Sequence, residues 1–592
     1  MIQRKPIQNI IREPITEDLL TNDSRKSNDN FSELFSEIQD YNLTESDHRL
    51  MLEDAFMRKF PSLWALKYKT IKGKPTTFIS SKNPFKNRPW QQAILDDSHP
   101  NKVVEKSRQL GLSEVGMTEV LHFLIMHDVT KAMYIFPRNQ QMVDFSKSRI
   151  KPVFQDSPYF RDLIDKTLDS VSTKKILDSY LFMRSGWSGA TGEGVDTDFL
   201  AIDEYDRMKE GVELAFQEGL KSSKYGLMRR WSTPTIPGRG INAVYQKSDQ
   251  MRYIHTCPHC GYKQFLTFDD NIIQVNPNGV NNVTQEVEDG TFIVGCKKCK
   301  KELDRWAEGE WSPMYPSIKE IRGYHISQLD AVWISADDIV RRKFNYTSKQ
   351  LFYNYVIGDP YASSGLLITD ADIKASIRLP KEIMSRNNNY VGISAGIDWG
   401  EVSYMVILGL KSNGAVDMIN IYTVQDSDTQ PLKSASFFAA VLRAYQPNII
   451  VCDAGYGQDR NAYLYTQFPS ALYSCYWTTT KDPASKVRFK DQYNENAHEI
   501  TVDKTVAIQR VLHSVKGHLI GMFPWNEKLA MFALHCKNTR IMDEESEGIV
   551  YQRATRVGPD HSTCACAYGL IGINKLTNYN IKFNTGTEFD FI

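Results

Sequence analysis

The alternation of apolar runs with helical patterns between residues 101 and 254 constrains the fold of this chain most strongly. Five short runs rich in branched and aromatic residues occur there: VVEKS, AMYIF, YLFMR, DFLAID and MRRWSTPT. Strands that alternate with helices form βαβ units, whose strands pair in parallel within one sheet. The sequence therefore predicts an α/β fold with a sheet dominated by parallel strands.

Length and composition limit the class of protein. A chain of 592 residues is long enough for two or three domains, each with its own core. The 71 basic residues balance the 71 acidic ones, so any binding of nucleic acid must use local patches rather than a global field. No apolar run approaches the ~20 residues of a membrane span, and the charged N-terminus lacks the apolar core of a secretory signal. We expect an intracellular protein without membrane segments.

A phosphate-binding loop is indicated where VVEKSRQLGLS leads from an apolar run into a helical pattern. Gly111 allows close approach of a phosphate, Lys106 or Arg108 supplies a cation, and Ser113 supplies a hydroxyl for Mg²⁺. The consensus lysine before the hydroxyl is replaced by Leu112, so Lys106 has to reach in from the other side of the loop. A plain basic loop ahead of a helix is the alternative.

Two later runs could complete a site for ATP hydrolysis. In FLAIDE, an apolar strand delivers Asp203 and Glu204, one carboxylate for Mg²⁺ and one to activate water. In WSTPT, another strand ends in Ser232, Thr233 and Thr235, small hydroxyl residues suited to sensing a γ-phosphate. Taken alone, either run could also be an ordinary strand that ends at the surface.

The nine cysteines include two CxxC pairs separated by 35 residues. In an intracellular chain, such pairs favour zinc over disulfides, and four thiolates complete a closed tetrahedral site that is structural rather than catalytic. The predicted ligands are Cys257, Cys260, Cys296 and Cys299. His259, inside the first pair, is expected to be exposed rather than a ligand.

The second half of the chain predicts a mixed α/β domain with a metal-dependent nuclease site. Two β-rich runs joined by Asn413-Gly414 indicate a hairpin. Asp398 ends the first run, Asp453 ends a later strand, and Asp560-His561 precedes an apolar helix. Carboxylates in such positions can hold two divalent ions for phosphodiester cleavage. Any one of them alone could instead be a turn or cap residue.

The motifs KSRQLGLSE, LAIDEYD and WSTPT, with RPWQ ahead of them, resemble the large terminase subunit of tailed bacteriophages, in its lambda-like branch. That family is the motor that packages DNA into procapsids. The resemblance implies that Lys106 is the phosphate-loop lysine, Asp203 the Mg²⁺ ligand, Glu204 the catalytic base and Gln91 a reader of adenine. It also implies that residues 232–235 couple hydrolysis to movement. Arg138 and Arg149 are candidates for a phosphate-sensing arginine, or are solvated basic residues.

The same resemblance covers the C-terminal half. It implies an RNase H-like nuclease domain whose metal ligands are Asp398, Asp453 and the Asp560-His561 pair. The family often shows DHxxDA at the last position, whereas this chain has Cys564 in place of the second aspartate. Whether Asp560 or His561 is the third ligand therefore stays open.

The predicted organisation follows from these motifs and the resemblance. We expect a flexible leader and helical element in residues 1–60, followed by a P-loop ATPase domain in residues 61–384. That domain is expected to include a zinc-ribbon insert at about 253–312 and connecting helices at about 315–384. An RNase H-like nuclease domain is expected in residues 385–580 and a tail in residues 581–592.

The implied function is ATP-driven translocation of double-stranded DNA together with cleavage of concatemeric DNA. The implied cofactors are ATP, Mg²⁺ or Mn²⁺, and Zn²⁺. The implied partners are a small terminase subunit, the portal protein and further copies of the chain in a ring, in the host cytoplasm. Two alternatives stay open. Cys564 favours a zinc-ribbon helicase or remodelling ATPase with an inactive RNase H-like domain, and Leu112 favours a non-enzymatic DNA-binding scaffold.

Overall fold

A computed structural model describes residues 45–186, 195–209, 211–275, 291–346, 348–362, 366–426, 432–480, 491–546 and 548–577. Most of the predicted leader and the whole of the predicted tail lie outside these ranges. The chain forms two compact units. The first comprises residues 1–234, 240–342 and 355–359, and the second comprises residues 235–239, 343–354 and 360–592.

The strands of the first unit are β1 (Thr70–Ile71), β2 (Lys74–Pro75), β3 (Asn101–Lys106), β4 (Lys131–Phe136), β5 (Ile164–Asp169), β6 (Thr173–Ile176), β7 (Ser179–Ser185), β8 (Phe199–Asp203), β9 (Leu227–Ser232), β10 (Met251–Thr256), β11 (Lys263–Gln264), β12 (Ile272–Val275), β13 (Thr291–Val294), β14 (Glu310–Pro313) and β15 (Arg322–Ile326). Its helices are α1 (Glu45–Lys59), α2 (Pro61–Tyr68), α3 (Pro89–Asp96), α4 (Leu112–Met126), α5 (Asn139–Phe145), α6 (Lys151–Asp156), α7 (Pro158–Arg161), α8 (Val212–Gln217), α9 (Gly240–Tyr245), α10 (Phe268–Asn271) and α11 (Ala336–Asn345), the last of which runs past the limit of the unit.

An 11-stranded sheet forms the centre of the first unit. Neighbouring strands in the order β10-β15-β3-β9-β8-β4-β7 are all parallel, and antiparallel strands are added at both edges. The five apolar runs of the sequence fall in β3, β4, β7, β8 and β9, so the predicted parallel sheet is confirmed. Because β9 lies between β3 and β8, the carboxyl ends of these three strands meet at one edge of the sheet.

The strands of the second unit are β16 (Gly392–Asp398), β17 (Val402–Leu410), β18 (Val416–Gln425), β19 (Ile449–Asp453), β20 (Leu472–Thr478), β21 (Gln492–Asn494), β22 (Glu499–Asp503), β23 (Ile520–Met522), β24 (Thr539–Ser546) and β25 (Ile549–Arg556). Its helices are α12 (Lys349–Phe352), α13 (Asp370–Ala375), α14 (Lys433–Tyr445), α15 (Gln458–Tyr465), α16 (Lys504–Lys516), α17 (Glu527–Asn538) and α18 (His561–Leu576).

A mixed eight-stranded sheet, in the order β21-β22-β20-β19-β16-β17-β18-β23, forms the centre of the second unit. Strands β16, β17 and β18 are antiparallel, with the predicted Asn413-Gly414 turn between β17 and β18, whereas β16, β19, β20 and β22 are parallel. On β17 and β19, alternate residues enter separate hydrophobic cores on the two faces of the sheet. The predicted mixed α/β domain is confirmed.

The predicted domain limits differ from the grouping of the chain into units. Residues 360–384, expected as connecting helices of the ATPase domain, group with the second unit. Whether the functional domains end at residue 384 stays a prediction. Within the described ranges, no helix combines the length and the apolar character that crossing a bilayer demands.

Candidate active sites and metal site

The loop between β3 and α4 has the geometry that a phosphate-binding loop needs. Helix α4 begins directly after Gly111, whose φ of 79° lies in the left-handed region. A Cβ at this position would lie 2.5 Å from the Arg88 guanidinium and 2.8 Å from the Gln91 amide nitrogen, so glycine is required. The Gln91 amide nitrogen donates to the carbonyl of Leu110 at 2.6 Å, which fixes the loop against α3.

Lys106, Asp203 and Glu204 come together at the edge where β3 and β8 end. The Lys106 ammonium is buried and lies 3.6 Å from a carboxylate oxygen of Glu204. Asp203 is also buried, and the Tyr134 hydroxyl on the neighbouring strand β4 donates to its Oδ2 at 3.2 Å. The side chain of Ser113 faces the same carboxylate. The structure therefore brings a lysine, a serine and two acidic residues into one site.

The pKa values of the two acidic residues of this site are shifted in opposite directions. Burial and the neighbouring charge of Glu204 together raise the pKa of Asp203 to about 6, against the opposing effects of Lys106, Ser113 and Tyr134. For Glu204, burial acts to raise the pKa, but the charges of Lys106, Arg207 and Arg108 outweigh it and the pKa is lowered. Glu204 is therefore held ionised at neutral pH.

The backbone of Glu204 is strained. Its φ of 52° is in the left-handed region, which residues other than glycine adopt at a cost of about 1–3 kcal/mol unless their surroundings fix them. This conformation occurs at the turn where β8 ends, directly after Asp203. The turn points the Glu204 carboxylate toward Lys106.

Three buried oxygen atoms beside this site lack a hydrogen-bond partner among the described residues. They are Ser107 Oγ, Asp203 Oδ1 and Thr233 Oγ1. Unsatisfied buried polar atoms are rare and often face a ligand or an ion. The donor set here, with hydroxyls, carboxylates and a lysine, fits a phosphate with a divalent cation.

The other candidate residues of the ATP site have different surroundings. The guanidinium of Arg108 lies over the ring of Tyr355, 3.1 Å from the ring centroid. Arg149 lies in a π-helical turn and pairs with Glu114 at 3.8 Å, and Arg138 precedes α5 on the surface. Thr235 groups with the second unit, where its carbonyl accepts a hydrogen bond from the Asn354 side chain.

The four predicted zinc ligands converge. Their sulfur atoms lie within 4.8 Å of one another, and the pairs Cys257–Cys299 and Cys260–Cys296 are each 3.7 Å apart. In a tetrahedral site with metal–sulfur bonds of 2.3 Å, neighbouring sulfurs are about 3.8 Å apart. Within the described residues this is the group of His, Cys, Asp and Glu side chains that meets such a spacing.

The two cysteine turns are closed by the same type of backbone hydrogen bond. In the first turn Gly261 N donates to Cys257 O at 2.9 Å, and in the second Lys300 N donates to Cys296 O at 2.8 Å. Both donors have φ in the left-handed region, 69° and 60°. His259 is exposed, as predicted, and is not part of the cluster. The four sulfurs form a compact, closed set of metal ligands.

In the second unit, helix α18 places Asp560 and His561 beside the end of β16. A Cβ on Gly396 would lie 2.1 Å from the Ala565 carbonyl, so the helix can lie directly on β16 only because this residue has no side chain. The Ser394 hydroxyl adds a hydrogen bond to the Gly569 carbonyl at 2.8 Å. Close packing of this helix therefore determines which residues reach Asp398.

Asp398 and Asp453 end neighbouring parallel strands at the same level, as predicted. His561 Nδ1 lies 2.8 Å from Asp398 Oδ2, and its ring stacks on Tyr404 with 5.6 Å between centroids. Burial raises the pKa of Asp398 to about 6, opposed by His561 and reinforced by Asp453 and Asp560. The hydrogen bond with Asp398 raises the pKa of His561.

The remaining candidate ligands are near but do not form a tight cluster. The Tyr568 hydroxyl donates to Asp453 at 3.0 Å, and Arg556 lies 3.6 Å from Asp560. The Cys564 thiol is buried 3.9 Å from Asp560. Among the described residues, the nuclease candidates do not meet the spacing of the cysteine group, so the choice between Asp560 and His561 stays a prediction.

Sequence reasoning missed several residues that shape these sites. Tyr134 looks like any core aromatic of a strand, and only strand order places it against Asp203. Tyr404 and Tyr568 likewise carry no motif. Asp206 follows Asp203 by three residues in LAIDEYD, and this spacing is the one sequence signal that could have indicated it.

Comparison with known proteins agrees with the first site. Residues 73–315 match the family model described as phage terminase large subunit gpA, ATPase domain. The terminase large subunit of Enterobacteria phage P21 is 27% identical over 244 residues, 38% of this chain and 37% of that protein. The terminase large subunit of Escherichia phage lambda is 25% identical over 206 residues, 31% of each protein. The alignments thus span about a third of the length of these relatives.

Solved structures of terminases also match, at low similarity. The large terminase ATPase domain of Thermus phage P74-26 is 15% identical, covers 46% of this chain and 92% of its own, and has a TM-score of 0.30. The nuclease domain of the large terminase subunit of bacterial virus Sf6 is 7% identical, covers 35% and 97%, and has a TM-score of 0.24. The assignment therefore rests on the sequence matches together with the sheet. In sequence, this chain is similar to the terminase large subunits of phages P21 and lambda, and its residues 73–315 match the family model of the phage terminase large subunit ATPase domain.

Proposed function

We propose that this chain is the motor subunit of a viral DNA-packaging machine, which hydrolyses ATP to translocate double-stranded DNA into a procapsid. The observation that carries the proposal is the convergence of Lys106, Ser113, Asp203 and Glu204 at one sheet edge inside the matched segment. Each of these residue types has a defined task in phosphoryl transfer. The family match covers residues 73–315, so a function for the whole chain is proposed beyond the matched segment.

The residues of the first site would divide the work of hydrolysis. The loop amides and Lys106 would hold the phosphates, and Ser113 with Asp203 would hold Mg²⁺. Bound Mg²⁺ would neutralise charge on the phosphate oxygens. Lys106 would exchange its contact with Glu204 for the phosphates. Glu204, already ionised, would then be able to accept a proton from the attacking water.

Adenine recognition and coupling are the finer parts of this proposal. Gln91 would read adenine, and its hydrogen bond to the Leu110 carbonyl of the phosphate loop supports this role. Ser232 and Thr233 end β9 between the phosphate loop and Asp203, which suits a role in transmitting hydrolysis. Arg108 would supply a second cation at the loop, where its guanidinium packs on the ring of Tyr355.

We also propose that the second unit is an RNase H-like, two-metal endonuclease that cuts concatemeric DNA, in which genome copies are joined end to end. Asp398 and Asp453 would hold two Mg²⁺ or Mn²⁺ ions, with Asp560 or His561 as the third ligand, and the ions would activate water for phosphodiester cleavage. The facing positions of Asp398 and Asp453 on parallel strands support this proposal. A metal at Asp398 would replace the hydrogen bond from His561.

The cysteine cluster is proposed as a structural zinc site within a zinc-ribbon insert. Its sulfur spacing agrees with a tetrahedral site, and four thiolates leave no position for a substrate. We expect about one zinc ion per purified chain, with zinc lost in Cys296→Ser and retained in Lys298→Ala, an exposed change in the same turn. Elemental analysis measures this directly. Full zinc content in Cys296→Ser would contradict the site.

The partners in this proposal are those of a packaging motor. They are double-stranded DNA, a small terminase subunit that selects it, the portal protein and further copies of the chain in a ring, in the host cytoplasm. The relationship to terminase large subunits supports them. Co-sedimentation with purified portal and small subunit would test the two protein contacts.

The central experiment combines two assays on one preparation of the full chain. ATP hydrolysis is measured with and without linear duplex DNA, and cleavage of supercoiled plasmid is measured with Mg²⁺ or Mn²⁺. DNA-stimulated ATPase together with metal-dependent cleavage supports both parts of the proposal. Absence of ATPase in the presence of DNA contradicts the motor, and absence of cleavage contradicts the endonuclease.

One observation favours a second candidate function. Cys564 occupies the position of a usual acidic residue, and it is buried beside Asp560 rather than open to a metal. Such a replacement of the acidic residue is expected in a zinc-ribbon helicase or remodelling ATPase whose second unit is inactive as a nuclease. ATPase activity without plasmid cleavage under either metal would favour that function.

A further inference from the structure

The buried carboxylate of Asp206 lies next to the proposed ATP site but has no task in it. Asp206 lies in the turn that follows Glu204, and its backbone N–H donates to Ser232 Oγ at 3.1 Å. Its side-chain Oδ1 accepts a hydrogen bond from the backbone N–H of Ile241 at 2.5 Å. One residue therefore connects the end of β8 with the end of β9 and with the first turn of α9.

The contact with α9 is close and specific. Gly240, which begins this helix, has a φ of 54°, and a Cβ there would lie 2.3 Å from Asp206 Oδ1. The carboxylate thus fills the space that a side chain at residue 240 would need.

Helix α9 leads back to the phosphate loop. The Asn242 side chain donates to Glu105 Oε1 at 2.9 Å, and Glu105 is the residue before Lys106 on β3. The contacts therefore close a ring: Lys106, Glu105, α9, Asp206 and the turn that carries Glu204.

This ring explains how Glu204 keeps its strained backbone. A non-glycine residue with a φ of 52° relaxes unless both sides of it are fixed. On one side Glu204 continues the buried strand β8, and on the other Asp206 is anchored by Ser232 and Ile241. Without the side-chain anchor, the turn would be free to relax and the Glu204 carboxylate would move away from its place beside Lys106.

We infer that Asp206 is a positioning residue for Glu204, acting through its hydrogen bond to the start of α9. The inference rests on the proposed ATP hydrolysis. It predicts an effect on the chemical step with little effect on ATP binding, because Lys106 and Ser113, the residues proposed to hold the phosphates and Mg²⁺, are unchanged in the variants.

The first test compares three variants of the full chain by steady-state ATPase. Asp206→Ala lowers kcat by about 30- to 100-fold, the scale of a displaced catalytic group, while KM for ATP changes by less than about twofold. Asp206→Asn keeps an oxygen that can accept from Ile241 and stays within about fivefold of wild type. Asp249→Ala is the matched control, since it removes another buried carboxylate that accepts a backbone N–H, from Gly323 at 2.9 Å.

The second test disturbs the contact between Asp206 and α9 by changing a residue of the helix instead of Asp206. Gly240→Ala places a Cβ against Asp206, whereas Gly226→Ala has a similar φ of 57° and open space around the new atom. Both carry the backbone cost of a positive φ, so the Tm should fall in both variants, and it should fall further in Gly240→Ala because Asp206 must move. Only Gly240→Ala is expected to lower kcat, by about tenfold or more.

The outcomes separate the inference from the proposed function. Equal kcat losses in Asp206→Ala and Asp249→Ala, or no rescue by Asp206→Asn together with equal kcat in the two glycine variants, would overturn the positioning role. A wild-type chain that binds DNA but hydrolyses no ATP would overturn the motor itself, and the inference with it.

Discussion

The two carboxylate sites of this chain are built alike but are neutralised differently. Each lies at the carboxyl ends of parallel strands, and burial raises the pKa of one aspartate in each, Asp203 and Asp398, to about 6. In the first site Lys106 lies beside the carboxylates, and Arg207 and Arg108 add positive charge. In the second site Asp398 faces the like charges of Asp453 and Asp560, and a histidine is its hydrogen-bond partner.

This difference teaches what each site requires from its ligand. The first site holds Glu204 ionised with its own cations, and a bound phosphate would take over the contact of the buried Lys106 ammonium. The second gathers acidic groups whose mutual repulsion must be relieved before all of them ionise, and divalent cations do this. This contrast supports the proposal of a nucleotide with Mg²⁺ at the first site and of divalent cations at the second.

The largest expected effect breaks the first site alone. Glu204→Ala removes the proposed base, so ATP turnover is expected to fall by about a thousandfold, while nucleotide binding persists because Lys106 and Ser113 remain. Steady-state ATPase and binding of a fluorescent ATP analogue measure the two effects. Glu218→Ala, an exposed glutamate of the same unit, is the control. Normal turnover in Glu204→Ala would falsify the role of this residue.

A similarly specific change breaks the second site. Asp398→Ala is expected to reduce plasmid cleavage with Mn²⁺ by at least about 100-fold and to leave DNA-stimulated ATPase unchanged, because the metals lose a bridging ligand. Glu527→Ala, at an exposed helix start, serves as control. Loss of ATPase in Asp398→Ala would show that the two sites are not separable.

A smaller change sharpens the comparison within the first site. Tyr134→Phe removes the hydroxyl that donates to Asp203, so the carboxylate loses a hydrogen bond that keeps its pKa down. We expect kcat/KM to fall by about three- to tenfold, the scale of one hydrogen bond, with a higher Mg²⁺ requirement. A Mg²⁺ titration of the ATPase measures this, with Tyr180→Phe on the neighbouring strand as control. An unchanged Mg²⁺ requirement counts against the role of Tyr134.

The smallest expected effect concerns a buried acid outside catalysis. Burial raises the pKa of Glu105 from 4.5 to about 8, opposed by its bond from Asn242. Between these values the folded chain holds a proton that the unfolded chain has lost, so the free energy of unfolding falls as pH rises through this window. Glu105→Gln has no such proton to lose, so its stability does not fall with pH in this way. The Tm of the variant minus the Tm of wild type should therefore increase by about 2–4 °C between pH 5.5 and 8.5. A constant difference across that range would show that Glu105 titrates normally.

Much of the architecture could be predicted because periodicity and strand endings are local properties. The five apolar runs became parallel strands, Asn413-Gly414 became a hairpin turn, and the four cysteines converged. The assignments of Lys106, Asp203 and Glu204 to one site followed from the motifs in which they lie and from the family resemblance. Roles for individual residues could not be settled in this way, and they stay predictions.

The sequence by itself determined the class of fold, the order of the motifs and the set of four thiols, since each depends on neighbours along the chain. Only the tertiary structure decided that Tyr134 reaches Asp203, that His561 meets Asp398 and that Asp206 joins the Glu204 turn to α9. These contacts depend on strand order and on how closely a helix lies on a sheet. Both are set by packing among residues far apart in the chain, such as Gly396 against α18, which local patterns do not encode.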